Sequence, residues 1–216
     1  CSSDLGGFTS VVHPAFVDGV TFMPGGVDPR YGGAIGGVVD LATVQVDGPP
    51  RVEAGADLIH AGAYARVPLG EHAGLAIAAR RSYLDQVLKR FVGEEESKIA
   101  PRFKDWQVKV DSPDFGAFWL GYSDTIDAPT GTGGETVEVT VRTQQVHLRA
   151  TRRTAVGTLT VVPTLSVDDR TFAYSESLDK RSESRCGLRA QWDGVEDGPV
   201  GYRVGVDAWK GDYSVK

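Results

Sequence analysis

The sequence is poor in cysteine, in net positive charge and in long apolar runs, and each shortage excludes a class of protein. Its 216 residues include two cysteines. Cys1 belongs to a start that we expect to be artificial, and Cys186 alone provides neither a disulfide framework nor a zinc site. The net charge of −6 argues against a nucleic-acid partner, which requires a basic surface. No apolar run approaches the ~20 residues of a membrane helix, but membrane β-strands leave a much weaker signal.

The sequence also lacks a recognisable catalytic pattern. Its four histidines are widely separated, and no pair has the spacing of zinc ligands. Ser82 and Ser166 are not in a G-x-S-x-G context. Asp168 and Asp169 are adjacent, so on a strand their carboxylates point to opposite faces. We therefore expect no enzyme, no metal site and no cofactor.

Glycine, in contrast, is abundant, with 27 residues, and it is concentrated between residues 22 and 40. Glycine adopts positive φ at little cost, whereas Pro24 and Pro29 fix φ and favour extended geometry in the residue before them. The pattern predicts a strand end, a tight turn, a second turn at Tyr31 and a new strand from Val38.

This stretch resembles the end of the plug domain of TonB-dependent outer-membrane receptors. In that family a strand runs into Pro-Gly-Gly, then an aromatic-Tyr-Gly-Gly turn, then Gly-Gly-Val-Val and a strand that contains Asp or Asn. The preceding residues 11–20 resemble the short helix and strand that lead into the motif. The alternatives are a glycine-rich loop of a soluble α/β domain and, more weakly, a phosphate-binding loop, for which the G-x-G-x-x-G register is absent. The motif residues are Pro24, Gly25, Gly26, Tyr31, Gly32, Gly33, Gly36, Gly37 and Asp40.

The resemblance implies a division of the chain at the turn-forming residues 47–50. Residues 6–47 are expected to be the C-terminal part of the plug, and residues 48–216 the N-terminal strands of the outer-membrane barrel. Residues 1–5 do not resemble the family, so we expect them to be artificial adapter sequence. Large plugged barrels have ~22 strands, so we expect an internal fragment of such a receptor.

Beyond residue 50 apolar and polar residues alternate with a period of two, which predicts about nine strands. We expect a tight hairpin within residues 58–61, a short helix in the long connection 85–102, and a bulge at Pro163 because proline cannot donate to the ladder. Another strand has an apolar face formed by Phe118, Leu120 and Tyr122. If the strands form a barrel wall, one outer face should carry Ala54, Leu75, Leu159, Leu188 and Val204.

The predicted connections tend to alternate between short and long. Residues 69–72, 112–114, 154–157 and 193–199 are expected to be short, and 85–102, 126–135 and 175–180 longer, as in outer-membrane barrels. The fold class that we predict is mainly β: a partial, antiparallel, up-and-down transmembrane β-barrel that follows the C-terminal part of an α+β plug. A soluble β-sandwich would show much of the same periodicity.

By resemblance, the function is energised uptake across the outer membrane of a Gram-negative-type bacterium. The implied partners are outer-membrane lipid, a ligand such as an iron–siderophore, cobalamin, a metal or a saccharide, and the inner-membrane TonB system, which would act through plug sequence absent here. Two alternatives stay open: a soluble β-rich binding or surface-adhesion module, and a plugged receptor used for signalling. Lumenal cations could attract an anionic ligand or simply neutralise lumenal carboxylates and plug contacts. These ligand-path candidates are Arg80, His147, Arg149, Arg189 and Arg203.

Overall fold

The chain is almost entirely antiparallel β-structure. The computed structural model describes residues 12–25, 31, 36–91, 101–129, 136–174, 177–194 and 201–215. These form a two-stranded sheet near the amino terminus, a nine-stranded sheet, a 3-10 turn and one α-helix. The helix α1, Leu84–Phe91, lies in the connection where a short helix is predicted. Among the described helices none has the length and apolar composition needed to cross a membrane.

The amino-terminal segment, residues 12–47, contains a 3-10 turn at Pro14–Phe16 and the strands β1 (Val17–Met23) and β2 (Val38–Thr43). The turn begins where the His13 ring accepts a hydrogen bond from the Ala15 N–H at 3.1 Å, a side-chain cap of the kind that starts helical turns. β1 and β2 pair antiparallel. The short helix and strand before the glycine-rich motif, and the new strand from Val38, are therefore confirmed.

The nine-stranded sheet is an up-and-down meander in which each strand pairs with its sequence neighbours, and β3 and β11 lie at the edges of the described sheet. The number of strands agrees with the prediction, and the turn at residues 57–59 confirms the first hairpin. The strands are β3 (Arg51–Ala56), β4 (His60–Pro68), β5 (Gly74–Ser82), β6 (Arg102–Asp111), β7 (Phe115–Pro129), β8 (Thr136–Thr154), β9 (Gly157–Ala173), β10 (Leu178–Gly194) and β11 (Arg203–Val215).

The expected alternation of short and long connections is wrong in two places. β9 and β10 are joined by a tight turn in which the N–H groups of Tyr174 and Ser177 each donate to the other residue's carbonyl oxygen. Residues 178–180, which are expected to belong to a loop, continue the strand instead, where they pair with residues 171–173 of β9. At the opposite end of the strands, eight residues, 195–202, separate β10 from β11, so this connection is not short.

The register of the sheet defines two faces. Directly opposed residues of neighbouring strands lie on the same face, so the pairings can be followed from β3 to β11. The inner face is the one that packs against residues 12–47, and the outer face is opposite. The five residues predicted to share the outer face do so: Ala54, Leu75, Leu159, Leu188 and Val204.

Strand β7 reverses the expected orientation of its apolar residues. Phe118, Leu120 and Tyr122 lie on the inner face, since they oppose Lys109, Gln107 and Asp105 of β6. The residues between them, among them Trp119, lie on the outer face with Ala117. Both alternating sets of residues on this strand are largely apolar. The period of two therefore shows which residues share a face, but not which of the two faces is the inner one.

The bulge predicted at Pro163 is absent. The sum of paired residue numbers is the same on both sides of Pro163 in the ladders with β8 and β10, so neither register shifts. Only the pairs of Pro163 and Val162 with β8 are interrupted. The missing N–H of proline therefore leaves a local gap in one ladder, while β9 stays in register with both neighbouring strands on either side of it.

Candidate functional site

The candidate site is the inner face of β4–β8 together with the amino-terminal segment that lies on it. Phe16 is fully buried. Its ring packs edge-on against Tyr64, with centroids 5.5 Å apart, and lies 5.7 Å from the ring of Phe118. Val46 is also fully buried, in the same cluster as Ala76 and Ala78 of β5. The alanines are short, so the segment can approach the sheet closely.

Polar residues of β6 fix the segment in place. Lys109 Nζ donates to Thr43 Oγ1 at 2.9 Å and to the Val44 carbonyl oxygen at 2.6 Å. Near the other end of the segment, the His13 N–H donates to Gln107 Oε1 at 3.0 Å. Hydrogen bonds that involve a charged donor are stronger than neutral ones, so Lys109 is the main polar anchor. Asp111 lies 3.3 Å from Lys109 Nζ and balances its charge.

Backbone contact replaces side-chain contact at Gly74. A Cβ on this residue would overlap the carbonyl group of Val46, so the site requires glycine. Just beyond, Arg66 Nε donates to the Pro49 carbonyl oxygen at 3.1 Å. The segment is therefore held along residues 43–49 by β4, β5 and β6 together.

Arg80 is the most buried of the ligand-path candidates. It pairs with Asp105 across β5 and β6, with 3.0 Å between Nη2 and Oδ2, and both side chains are only 5% exposed. The pair lies beside a cleft of about 360 Å³ that His13, His60 and Glu53 also line. Burial, and then the nearby charge of Arg80, lower the pKa of His13 below its usual 6.5.

The rim of this cleft carries a carboxylate that stays ionised. Asp57 accepts the N–H groups of Ile59 and His60 at 2.7 and 2.8 Å. These two hydrogen bonds lower the pKa of Asp57, because they favour the charged form. The turn between β3 and β4 is thus closed by its own side chain, an Asx-type turn.

Arg149 lies at the opposite end of the strands. Its guanidinium contacts Asp111 at 2.7 Å and donates to the carbonyl oxygen of Ser112 at 2.6 Å. It borders a second cleft, of about 490 Å³, which Thr43 and Lys109 also line. Arg149 therefore closes the turn between β6 and β7 next to the exit of the amino-terminal segment.

His147 and Arg189 border a third cleft, of about 300 Å³. His147 is partly buried, and its Nδ1 lies 3.3 Å from Thr164 Oγ1. Arg189 pairs with Asp207 at 2.5 Å, and both side chains are largely exposed. None of the described residues between 12 and 47 lines this cleft.

The five candidates do not form one cluster. Arg80 and Arg149 line two different clefts, and His147 and Arg189 line a third. Arg203 pairs with Asp193 at 2.5 Å at the start of β11. Each arginine among them contacts a carboxylate. The geometry thus supports the view that these cations neutralise inner-face carboxylates, rather than forming one anion-binding centre.

The glycine-rich motif is only partly within the described residues. Pro24, Gly25 and Gly36 are exposed and Tyr31 is partly buried. Asp40 lies on β2 opposite Thr21, and a Cβ on Gly37 would crowd the Met23 carbonyl oxygen. Gly26, Gly32 and Gly33 lie outside the described residues.

Sequence reasoning missed the residues that hold the segment, chiefly Lys109, Gln107 and Gly74. A signal was present, because Lys109 and Gln107 continue the alternation of Asp105 and Asp111 on one face of β6. No family model, curated protein or solved structure matches this chain. In the part of the chain that the structure describes, no three His, Cys, Asp or Glu side chains are grouped to hold a metal ion.

Proposed function

We propose that this chain is part of a TonB-dependent outer-membrane receptor, with the nine-stranded sheet as barrel wall and residues 12–47 as the end of the plug. The observation that carries the proposal is the contrast between the two faces of the sheet. The outer face carries an exposed apolar band, whereas the inner face combines charged and polar residues with an apolar cluster in which Phe16 and Val46 of the amino-terminal segment are buried.

The apolar band is continuous over all nine strands. We define it as the outer-face residues within 52–56, 61–67, 75–79, 106–110, 115–119, 146–150, 159–167, 186–192 and 204–208. Every residue of this set is apolar. Several are well exposed, such as Leu165 at 59% and Val206 at 62%. Contiguous exposed apolar surface of this kind marks an interaction site or a membrane.

The dimensions favour a membrane. The band is longest on β9, where it extends over the nine residues from Leu159 to Val167. This is the lower end of the ~9–11 residues that a tilted membrane strand needs. Strands β7 to β10 have 15 to 19 residues, so they would extend beyond the band as polar wall. In an up-and-down barrel each strand pairs with the strands before and after it in the sequence. The nine strands of this sheet pair in the same way.

The amino-terminal segment supports the plug assignment. The segment contacts the inner face of the sheet, where Lys109, Gln107 and Gly74 hold its two ends. In such a receptor the TonB system would act on the plug, and residues 43–49 would remain attached to the wall. The ligand class stays as the resemblance implies it: an iron–siderophore, cobalamin, a metal or a saccharide.

Tryptophan fluorescence tests the membrane orientation. The chain has four tryptophans: Trp106, Trp119 and Trp192 on the outer face and Trp209 on the inner face. Single-tryptophan variants of the gene product that contains this chain, with its natural flanking sequence, are reconstituted in vesicles with brominated acyl chains. We expect strong quenching of the outer-face tryptophans and weak quenching of Trp209. Equal quenching, or a protein that stays in the aqueous phase, would favour the soluble β-rich module.

Uptake tests the function itself. The same gene product is expressed in Gram-negative cells with and without a working TonB system, and uptake of radiolabelled iron–siderophores, cobalamin, nickel and maltodextrin is measured. We expect one ligand to accumulate only in cells with the TonB system. If the protein is in the outer membrane and no uptake depends on TonB, the transport proposal is wrong.

A further inference from the structure

Three cations just beyond the apolar band differ from the paired cations of the inner face. Arg81 of β5 opposes Lys104 of β6, Lys104 opposes Ser123 of β7, and Ser123 opposes Arg142 of β8, so all lie in one row on the outer face. The three cations are exposed and Ser123 is buried between its neighbours. In the described residues, Arg81, Lys104 and Arg142 make no ion pair or side-chain hydrogen bond.

The row is electrostatically unfavourable as it stands. Like charges directly opposite each other on a sheet destabilise it, and Arg81 and Lys104 are such a pair. Asp169 opposes Arg142 in the register without forming an ion pair. Arg102, on the same face, contacts Asp127 and Glu138 at 3.3 Å, so those carboxylates are engaged elsewhere. The arrangement therefore suits an anion from outside the chain.

The spacing suits a group larger than one small ion. Neighbouring strands lie ~4.8 Å apart, so the row from Arg81 to Arg142 spans ~14 Å, and the long side chains can converge over Ser123. On the same strands and face, Ala79 and Trp106 of the apolar band lie two residues away. An amphiphile with an anionic head could thus contact the cations while its acyl chains cover the band.

We infer that Arg81, Lys104, Ser123 and Arg142 form a binding site for the phosphate groups of a membrane lipid headgroup. This inference rests on the proposed membrane location, in which the ends of β5 at Ser82 and of β6 at Arg102 face the cell exterior. The cations supply charge-assisted hydrogen bonds to phosphate, and the Ser123 hydroxyl supplies one more donor. Arginine suits phosphate because its planar fork donates to two oxygens.

Native mass spectrometry of the detergent-solubilised protein tests the site, with lipid A carrying two phosphates as the probe. The variant R81Q/K104Q/R142Q removes the three charges without shortening the side chains greatly. At about fivefold per cation near a membrane surface, we expect lipid A binding to weaken by roughly 100-fold in the triple variant and about fivefold in R142Q. Lipid A with one phosphate should bind the wild type more weakly.

Arg152 provides the matched control. It lies on the same strand and face as Arg142, is exposed and has no partner in the described residues, but lies at the opposite edge of the band. R152Q should bind lipid A as the wild type does, and an equal loss in R152Q would overturn the site. Displacement of lipid A by inorganic phosphate at similar concentration would also overturn it, because the site would then recognise free phosphate.

The two proposals fail differently. If outer-face tryptophans are quenched in vesicles but the triple variant still binds lipid A tightly, the lipid site is wrong and the receptor proposal stands. If the protein does not enter vesicles at all, the receptor proposal and the lipid site fail together. Circular dichroism of each variant shows whether a loss of binding reflects a loss of fold, in which case R142Q alone decides.

Discussion

The two faces of the nine-stranded sheet treat charge in opposite ways. On the inner face Arg80, Arg149, Arg189 and Arg203 each contact a carboxylate, and Lys109 binds the amino-terminal segment. On the outer face the band contains no charge, and beyond it Arg102 contacts two carboxylates, whereas the row Arg81, Lys104 and Arg142 makes no ion pair within the described residues. A charge near low-dielectric material is costly unless it is compensated. The inner-face arginines named here are compensated within the chain and the outer-face row is not, which indicates that this row meets different surroundings.

The largest effect should come from breaking the buried pair of the inner face. Asp105→Ala leaves Arg80 buried without its counter-charge, which costs about 3–5 kcal/mol in comparable sites. Asp207→Ala, which breaks an exposed pair with Arg189, should cost only about 0–1 kcal/mol. Urea unfolding of each variant in detergent measures both values. The double variant Arg80→Met, Asp105→Leu should regain most of the lost free energy of unfolding, because an apolar pair replaces both charges. If it does not, the Arg80–Asp105 ion pair itself contributes to the stability of the sheet.

The next effect compares neighbouring positions on opposite faces of β9. Leu165→Arg places a charge in the middle of the apolar band and should cost about 2–4 kcal/mol in a lipid bilayer. Thr164→Arg, one residue away on the inner face, should cost less because that face tolerates charge. Unfolding in lipid vesicles measures the difference. In a soluble protein an exposed Leu165→Arg would fall within about ±0.5 kcal/mol, so equal small effects would contradict the membrane assignment.

A smaller and more local effect is expected at the anchor of the amino-terminal segment. Lys109→Met removes the hydrogen bonds from one ammonium group to Thr43 and the Val44 carbonyl, for which we expect a loss of about 1.5–3 kcal/mol, the value for a charged donor. Amide hydrogen exchange of residues 43–47 should accelerate while β7–β10 stay protected. Lys210→Met removes an exposed cation of the outer face and should leave this exchange unchanged. Global loss of protection in Lys109→Met would show that the segment and the sheet unfold as one unit.

The sequence allowed much of this comparison to be predicted, because alternation is a local property. The nine strands, the helix at Leu84–Phe91 and the shared outer face of Leu75 and Leu188 all follow from the period of two. Alternation does not reveal which face is inner where both sets are apolar, as around Phe118 on β7.

The contacts that define the candidate site were less predictable. Lys109 binds residues 65 and 66 positions away in the sequence, and the carbonyl of Val46 lies over Gly74. Such contacts depend on how the segment docks on the sheet. The unshifted register of β9 across Pro163 is likewise set by the neighbouring strands rather than by the local sequence.

The smallest effect concerns pH and only the amino-terminal turn. The pKa of His13 is lowered by burial and by Arg80, and its Nδ1 accepts the Ala15 N–H. Protonation of His13 therefore opposes docking in two ways: it places a charge in a buried site beside Arg80, and it removes the acceptor of this hydrogen bond. Well above pH 6.5, the ordinary pKa of histidine, His13 is neutral in both states and pH has no effect. As pH falls through this value the undocked segment takes up protons more readily than the docked one, and docking weakens. The exchange protection of the Phe16 amide, corrected for its intrinsic pH dependence, should therefore fall between pH 7 and pH 5. His13→Asn keeps an acceptor suited to this cap but does not titrate, so its protection should be constant. An equal fall in that variant would place the pH response in another group.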